Sequence, residues 1–206
     1  MATVTFDARE VRLMLSRLPE ELRDKANAMA INKTIDKART EMKRQITAVY
    51  NLKAAEVSGG LKISKASAKA NVVSGSLFPT SLAGSKQGRA MNVIHFWEKS
   101  VTNADIKRRK KSDTLNELYF KFKKIGGKKN IPADGDKSKV FIGNKGRTVF
   151  RRTGKKRTPI EPVQVIGLPQ MFNTAKLNQA VLDKAATDLL VETQRAVDEM
   201  LRRLNT

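Results

Sequence analysis

The sequence predicts an α+β fold: a mostly antiparallel sheet built from the middle of the chain, with a long N-terminal helix and a long C-terminal helix packed with it. Three observations carry that prediction. Apolar residues recur at steps of three and four near both ends, the period of a helix with one buried stripe. Between them lie short β-branched and aromatic runs punctuated by Gly, Asn and Pro, the pattern of strands and tight turns. The order is helices, then strands, then a helix, without the alternation that builds a parallel sheet. At 206 residues one domain over 1–206 is the simplest organisation. It divides into a helical part at 1–58, a β-rich basic part at 61–169 with an expected mobile loop at 100–115, and a C-terminal helix at 173–206.

Residues 6–18 read as a short helix, with Asp7 able to cap it and Val11, Leu15 and Leu18 on one side. Pro19 fits the first turn of a second helix reaching about Tyr50, and Glu20 and Glu21 sit well against its positive end. Its stripe is Ala28, Ile31, Ile35, Ala38, Met42, Ile46 and Val49, with Lys33, Lys37, Lys43 and Arg44 on the opposite side. Such a helix is ~45 Å long, enough to lie across a sheet or to reach a neighbouring subunit. Residues 52–57 are helix-like until Ser58, Gly59 and Gly60 break the pattern, and Leu61 and Ile63 then alternate with lysines. Residues 64–70 read as an exposed connection, 70–78 as a strand, 79–88 as a loop and 91–97 as another strand. The clearest strand is 118–125, LYFKFKKI, where Phe120 and Phe122 face away from Lys121 and Lys123. At the far end, Asn173 or Thr174 can cap a helix carrying Leu177, Val181, Ala185, Leu189, Ala196, Met200 and Leu204, with Arg202 and Arg203 against its negative end.

The stretch 139–172 organises the β-rich part. Val140, Phe141 and Ile142 form a strand, and Gly143, Asn144, Lys145 and Gly146 supply a hairpin turn that tolerates positive φ. Residues 147–153 extend again, with Thr148 and Phe150 on one face and Val149 and Arg151 on the other. Residues 154–158 are a cationic turn. Pro159 and Pro162 suit an edge strand or its entrance, Val163, Val165 and Ile166 prolong the strand, and Gly167 and Pro169 end it. The ordered set Gly146, Val149, Arg151, Gly154, Lys155, Arg157, Pro159, Ile160, Pro169, Met171 and Phe172 resembles the C-terminal half of the minor tail protein Z family, the tail-completion proteins of lambda-like long-tailed phages. The rest of the chain is similar in outline: helical start, very basic middle, final helix. The resemblance implies a structural virion protein of the head-proximal tail end, assembled with tail-tube and tail-terminator proteins, with the tape measure protein a further neighbour. It also implies a part in placing the leading end of the genomic DNA in the tail.

Composition agrees with a polyanionic or acidic partner. The formal net charge is +21, which opposes compaction by self-repulsion unless something compensates it. Cysteine is absent, so disulfides and thiolate metal sites are excluded. The first residues carry no apolar signal core, and no run approaches the ~20 apolar residues of a membrane helix. Synthesis and assembly in the host cytoplasm, with no membrane contact, are therefore expected. His95 is the one histidine and lies in an apolar segment, where a structural role is expected. No phosphate-loop pattern occurs. Asp134 and Asp136 are close enough to suggest a metal-dependent nuclease, but they lack a further clustered carboxylate. No catalytic residue, metal site or cofactor is expected.

The cationic constellation is the stronger signal. Residues 107–157 hold close to half of the Lys and Arg residues in about a quarter of the chain. The expected polyanion or partner contacts are Lys107, Arg108, Arg109, Lys110 and Lys111 in the loop, Lys121 and Lys123 on one strand face, and Arg147, Arg151, Lys155, Lys156 and Arg157 around the last hairpin. Such residues position phosphates without reading sequence. Tyr119 is a plausible stacking residue, whereas Phe120 and Phe122 read as core, so no base platform is expected. The chain itself is an expected partner: tail tubes are usually sixfold, and a hexameric ring lets one heterologous interface close without forming filaments. The rival reading is a free-standing, non-specific nucleic-acid-binding protein of ribosomal or nucleoid type.

Overall fold

A computed structural model describes residues 8–69, 73–80, 90–96, 119–127, 129–130, 140–144, 148–154 and 156–205. Its helices are α1 (Ala8–Ser16), α2 (Glu20–Val49), α3 (Ala54–Gly59), α4 (Leu168–Phe172) and α5 (Ala175–Leu204), with a 3-10 helix at Val93–Phe96. Its strands are β1 (Leu61–Ser64), β2 (Ser76–Pro79), β3 (Tyr119–Phe120), β4 (Lys129–Asn130), β5 (Val140–Gly143), β6 (Thr148–Arg152) and β7 (Ile160–Pro162). All described strand pairs are antiparallel: β1 with β2, β3 with β4, and a three-stranded sheet in the order β5-β6-β7. The α+β class and the two long terminal helices are as the sequence predicts.

The main departure is in what the helices cover. Their apolar stripes turn toward each other rather than onto a sheet face. Ala26 and Ala30 near the start of α2 share a cluster with Ala196, Val197 and Met200 near the end of α5. Met42 and Ile46 at the other end of α2 meet Leu177 and Val181 at the start of α5. The two 30-residue helices therefore run antiparallel. α1 closes the first cluster with Leu18, while Tyr50, Val57, Leu61, Phe96, Leu168 and Met171 complete the second. The three-stranded sheet has its own small core, where Val140 and Val149 pack with Val93 and Phe120.

Local outcomes follow specific contacts. Pro19 caps α2, and α2 ends at Val49, where the Tyr50 N–H still donates to the Ile46 carbonyl at 2.8 Å. Residues 93–96 coil into a 3-10 turn instead of a strand. Asn92 causes this: its Oδ1 accepts from the Ile94 N–H at 3.1 Å and from the Val149 N–H at 2.9 Å, and its Nδ2 donates to the Val149 carbonyl at 3.0 Å. Asn92 thus substitutes for a strand partner of β6. The strand expected at 118–125 is regular only at Tyr119–Phe120. Beyond it, the Lys121 N–H donates to Phe96, the Phe122 carbonyl accepts from Asn51, and Lys123 bridges to Tyr50. The third strand of the hairpin sheet begins earlier than expected, at Ile160. Beyond it the Val163 N–H donates to Val149, the Val163 carbonyl accepts from the Val93 N–H, and the Val165 N–H donates to Met91, around an antiparallel bridge of Gln164 with Asn92. Pro169 lies in the first turn of α4 rather than only ending a strand. The connection at 64–70 is not wholly exposed: Ala66 is buried, and both its backbone groups bond the Asn32 side chain at 2.8 and 3.0 Å. Asn144 takes φ +51, the left-handed conformation a hairpin turn needs and Asn tolerates.

A candidate polyanion and partner-binding surface

Charge is divided between the two halves of the fold. Among the described residues of 119–167, Glu161 is the one acidic side chain, against Lys121, Lys123, Lys124, Arg151, Arg152, Lys156 and Arg157. The helices hold the other described acids and neutralise part of their own charge. In the α2–α5 seam, Lys37 Nζ lies 2.7 Å from Glu192 Oε1 and 3.3 Å from Asp188 Oδ1. Arg195 Nη1 adds a second 2.7 Å contact to Glu192. One turn along α2, Glu41 accepts from Arg44 at 2.6 and 3.0 Å and from Gln45 at 2.7 Å. The hydrogen bond from Lys37 holds the Glu192 carboxyl below the usual carboxylate value, against the opposing effect of burial, and Arg44 does the same for Glu41. Lys37 is raised in return, chiefly by Glu192. Lys37, read from the sequence as lying opposite the apolar stripe, instead reaches the edge of the α2–α5 seam while staying 39 % exposed. Lys37, Glu41, Asp188, Glu192 and Arg195 line an open groove of about 860 Å³.

His95 Nδ1 lies 3.0 Å from Glu56 Oε1, and the Lys53 N–H donates to Glu56 Oε2 at 3.2 Å. Burial raises the Glu56 carboxyl, but these bonds outweigh it and leave the group below its ordinary value. The pair ties the 3-10 helix to α3.

The expected contact residues fall in two places. Lys121 and Lys123 follow β3, with Lys121 partly buried and Lys123 exposed. Their alternation with Phe120, fully buried, and Phe122, packed on the core, is as read from the sequence. Arg151 is exposed in the middle of β6, and Lys156 and Arg157 are exposed in the turn leading to β7. That turn is closed by the Thr153 N–H and hydroxyl, both donating to the Pro159 carbonyl at 3.3 Å. Lys107, Arg108, Arg109, Lys110, Lys111, Arg147 and Lys155 lie outside the described residues, as do the 100–115 loop, Asp134 and Asp136. Among the described residues, no three His, Cys, Asp or Glu side chains are grouped to hold a metal, and no helix is long and apolar enough to cross a membrane.

The family model described as prophage minor tail protein Z (GPZ) matches residues 11–206. The chain belongs to the prophage minor tail protein Z family. It is therefore a phage minor tail protein, a structural component of the tail and part of the virion, which works with other tail components. Membership covers both the helical pair and the basic hairpin sheet, well beyond the one stretch that carries the resemblance in sequence. No curated protein and no solved structure matches the chain.

One feature escaped sequence reading. Phe141 and Phe150 stack with centroids 5.7 Å apart and planes 26° from parallel, and the Arg152 guanidinium sits 4.7 Å from the Phe141 centroid. Both strands were legible, but the register that sets these rings opposite each other depends on the hairpin turn. Their alternation with Val140, Ile142 and Val149 was the available signal.

Proposed function

We propose that this chain is a non-enzymatic tail-completion protein at the head-proximal end of the tail. In this reading copies close into a ring, a hexamer by analogy with sixfold tail tubes. The ring contacts the tube and terminator proteins, with the tape measure and the leading end of the genomic DNA as further neighbours. Assembly takes place in the host cytoplasm. The partition of charge carries the reading: the α2–α5 pair internally neutralises much of its charge, while the β-rich half presents exposed Lys156 and Arg157 with Glu161 as its one described acid. A ring would set those surpluses side by side, where weak phosphate or carboxylate contacts multiply. The basic residues at 107–111, 147 and 155, outside the described residues, are further contacts in this reading.

The test is a labelled chain in purified particles, imaged at low resolution, with infectivity measured for the variant Arg151→Ala, Lys155→Ala, Lys156→Ala, Arg157→Ala. The label is expected at the head-proximal end in fixed copy number, and infectivity should fall while the variant stays folded. A label elsewhere, or full infectivity, refutes the position or the role of the hairpin respectively.

A further inference from the structure

The three-stranded sheet has a second apolar face that none of the core clusters covers. Register places Phe141 opposite Phe150, Phe150 opposite Pro162, and Arg152 opposite Ile160. Residues directly opposite or two apart share a face, so these five form one surface. The reverse face carries Val140, Ile142 and Val149, which pack into the core with Val93 and Phe120. Phe141 and Phe150 are only partly buried, and neither belongs to the three core clusters or to the hydrophobics packed against them. Ile160 is 42 % exposed. The face of an antiparallel sheet turned away from the core is ordinarily polar; here it is two partly buried, stacked rings topped by a guanidinium whose buried Nε has no hydrogen-bond partner among the described residues. Strand β6 leads directly from this face into the turn that exposes Lys156 and Arg157.

We infer that the Phe141–Phe150–Arg152 face is a stacking platform for unpaired bases of single-stranded DNA, with Lys156 and Arg157 holding the adjoining phosphates. Aromatic rings and a guanidinium plane next to exposed cations are the recurring elements of sequence-tolerant single-strand binding. Charge argues against a second copy as the occupant, because the chain carries +21 and this half offers one described carboxylate, Glu161, on the opposite sheet face. An acidic protein segment would satisfy the cations but make no particular use of stacked rings. The inference rests on the polyanion contact proposed above and adds the class of strand.

Fluorescence anisotropy with the full chain separates bases from backbone. Labelled oligothymidine is expected to bind at least about fivefold more tightly than an abasic strand of equal length, the effect of one stacked base. Phe141→Leu, Phe150→Leu keeps an apolar surface, and should reduce oligothymidine to the abasic level without changing abasic binding. Arg152→Lys keeps the charge but removes the plane, and should lower the preference by about threefold. Melting curves check that the variants fold; if the double leucine variant does not, the wild-type comparison and Arg152→Lys decide. Equal binding of thymidine and abasic strands by the wild type overturns the inference, as does a preference that survives the leucine changes. Displacement of both strands by polyglutamate with no base preference instead assigns the face to an acidic protein segment. A base preference in a chain absent from the head-proximal tail end keeps the platform and removes the tail position; the converse result removes the platform alone.

Discussion

Replacing Glu192 by Gln tests how the two long helices are held. Glu192 is 7 % exposed and accepts from Lys37 and Arg195, both at 2.7 Å. A hydrogen bond to a charged group contributes about 1.5–3 kcal/mol when its partners are buried. Here Lys37 is 39 % and Arg195 66 % exposed, so water restores most of the cations' solvation once the carboxylate is gone. The discounted loss is about 1–2 kcal/mol, or a fall in Tm of about 2–8 °C for a chain of this size. The pH dependence has a definite sign. Glu192 is lowered in the fold from its ordinary value of 4.5. Its contribution is therefore complete above pH 4.5 and is lost as pH falls through the lower folded value. Thermal unfolding at pH 7 should separate wild type from Glu192→Gln, and the gap should narrow on acidification below pH 4.5. A second variant, Lys37→Met with Glu192→Leu, should recover part of the loss, because the buried carboxylate and Lys37 leave together, Asp188 keeps Lys184 at 3.8 Å, and Arg195 is 66 % exposed to water. A Glu192→Gln protein that melts with the wild type at pH 7, or a gap that persists unchanged in acid, would refute this account of the seam.

Two further stability outcomes are expected. Asn92→Ala removes two hydrogen bonds to β6 and one to the Ile94 amide, and leaves the Val149 N–H without its partner while the Val149 carbonyl keeps the Val163 N–H at 2.8 Å; a loss of about 1–3 kcal/mol should appear in denaturant melts, with faster hydrogen exchange at the Val149 amide. Phe96→Ala empties a fully buried site that packs on Phe122 at 5.1 Å between centroids; a loss of about 3–5 kcal/mol should take a large part of the chain's stability, read as the urea midpoint.

The helices were legible because their period and their stop signals agree. Pro19 and the stripe from Ala28 to Ile46 agree on α2, and the Gly59–Gly60 break marks the end of α3. What the stripe does not specify is its partner, so a helix–helix seam and a helix–sheet layer read alike. Lys37 shows the limit: its side chain is long enough to reach back into the seam once Glu192 and Asp188 stand opposite, a tertiary fact that no local pattern encodes. The segment 91–97 alternates like a strand, but Asn92 closes hydrogen bonds to β6 with its side chain and frees the next residues to coil. In the basic surface, the exposure of Arg151, Lys156 and Arg157 was readable from a charged turn between strands. The Phe141–Phe150 pair was not, because pairing register is set across the turn and a shift of one residue would send both rings to the other face.

The antiparallel seam also bears on how the chain folds as it is made. Lys37 and its partner Asp188 are separated by 151 positions, and α2 cannot finish burying its stripe until α5 has been made. Contacts of such long range slow folding more than they weaken the final state. Until then the growing chain carries a partly uncovered apolar helix ahead of a strongly cationic stretch, and α5 acts as the clasp that ends that exposure.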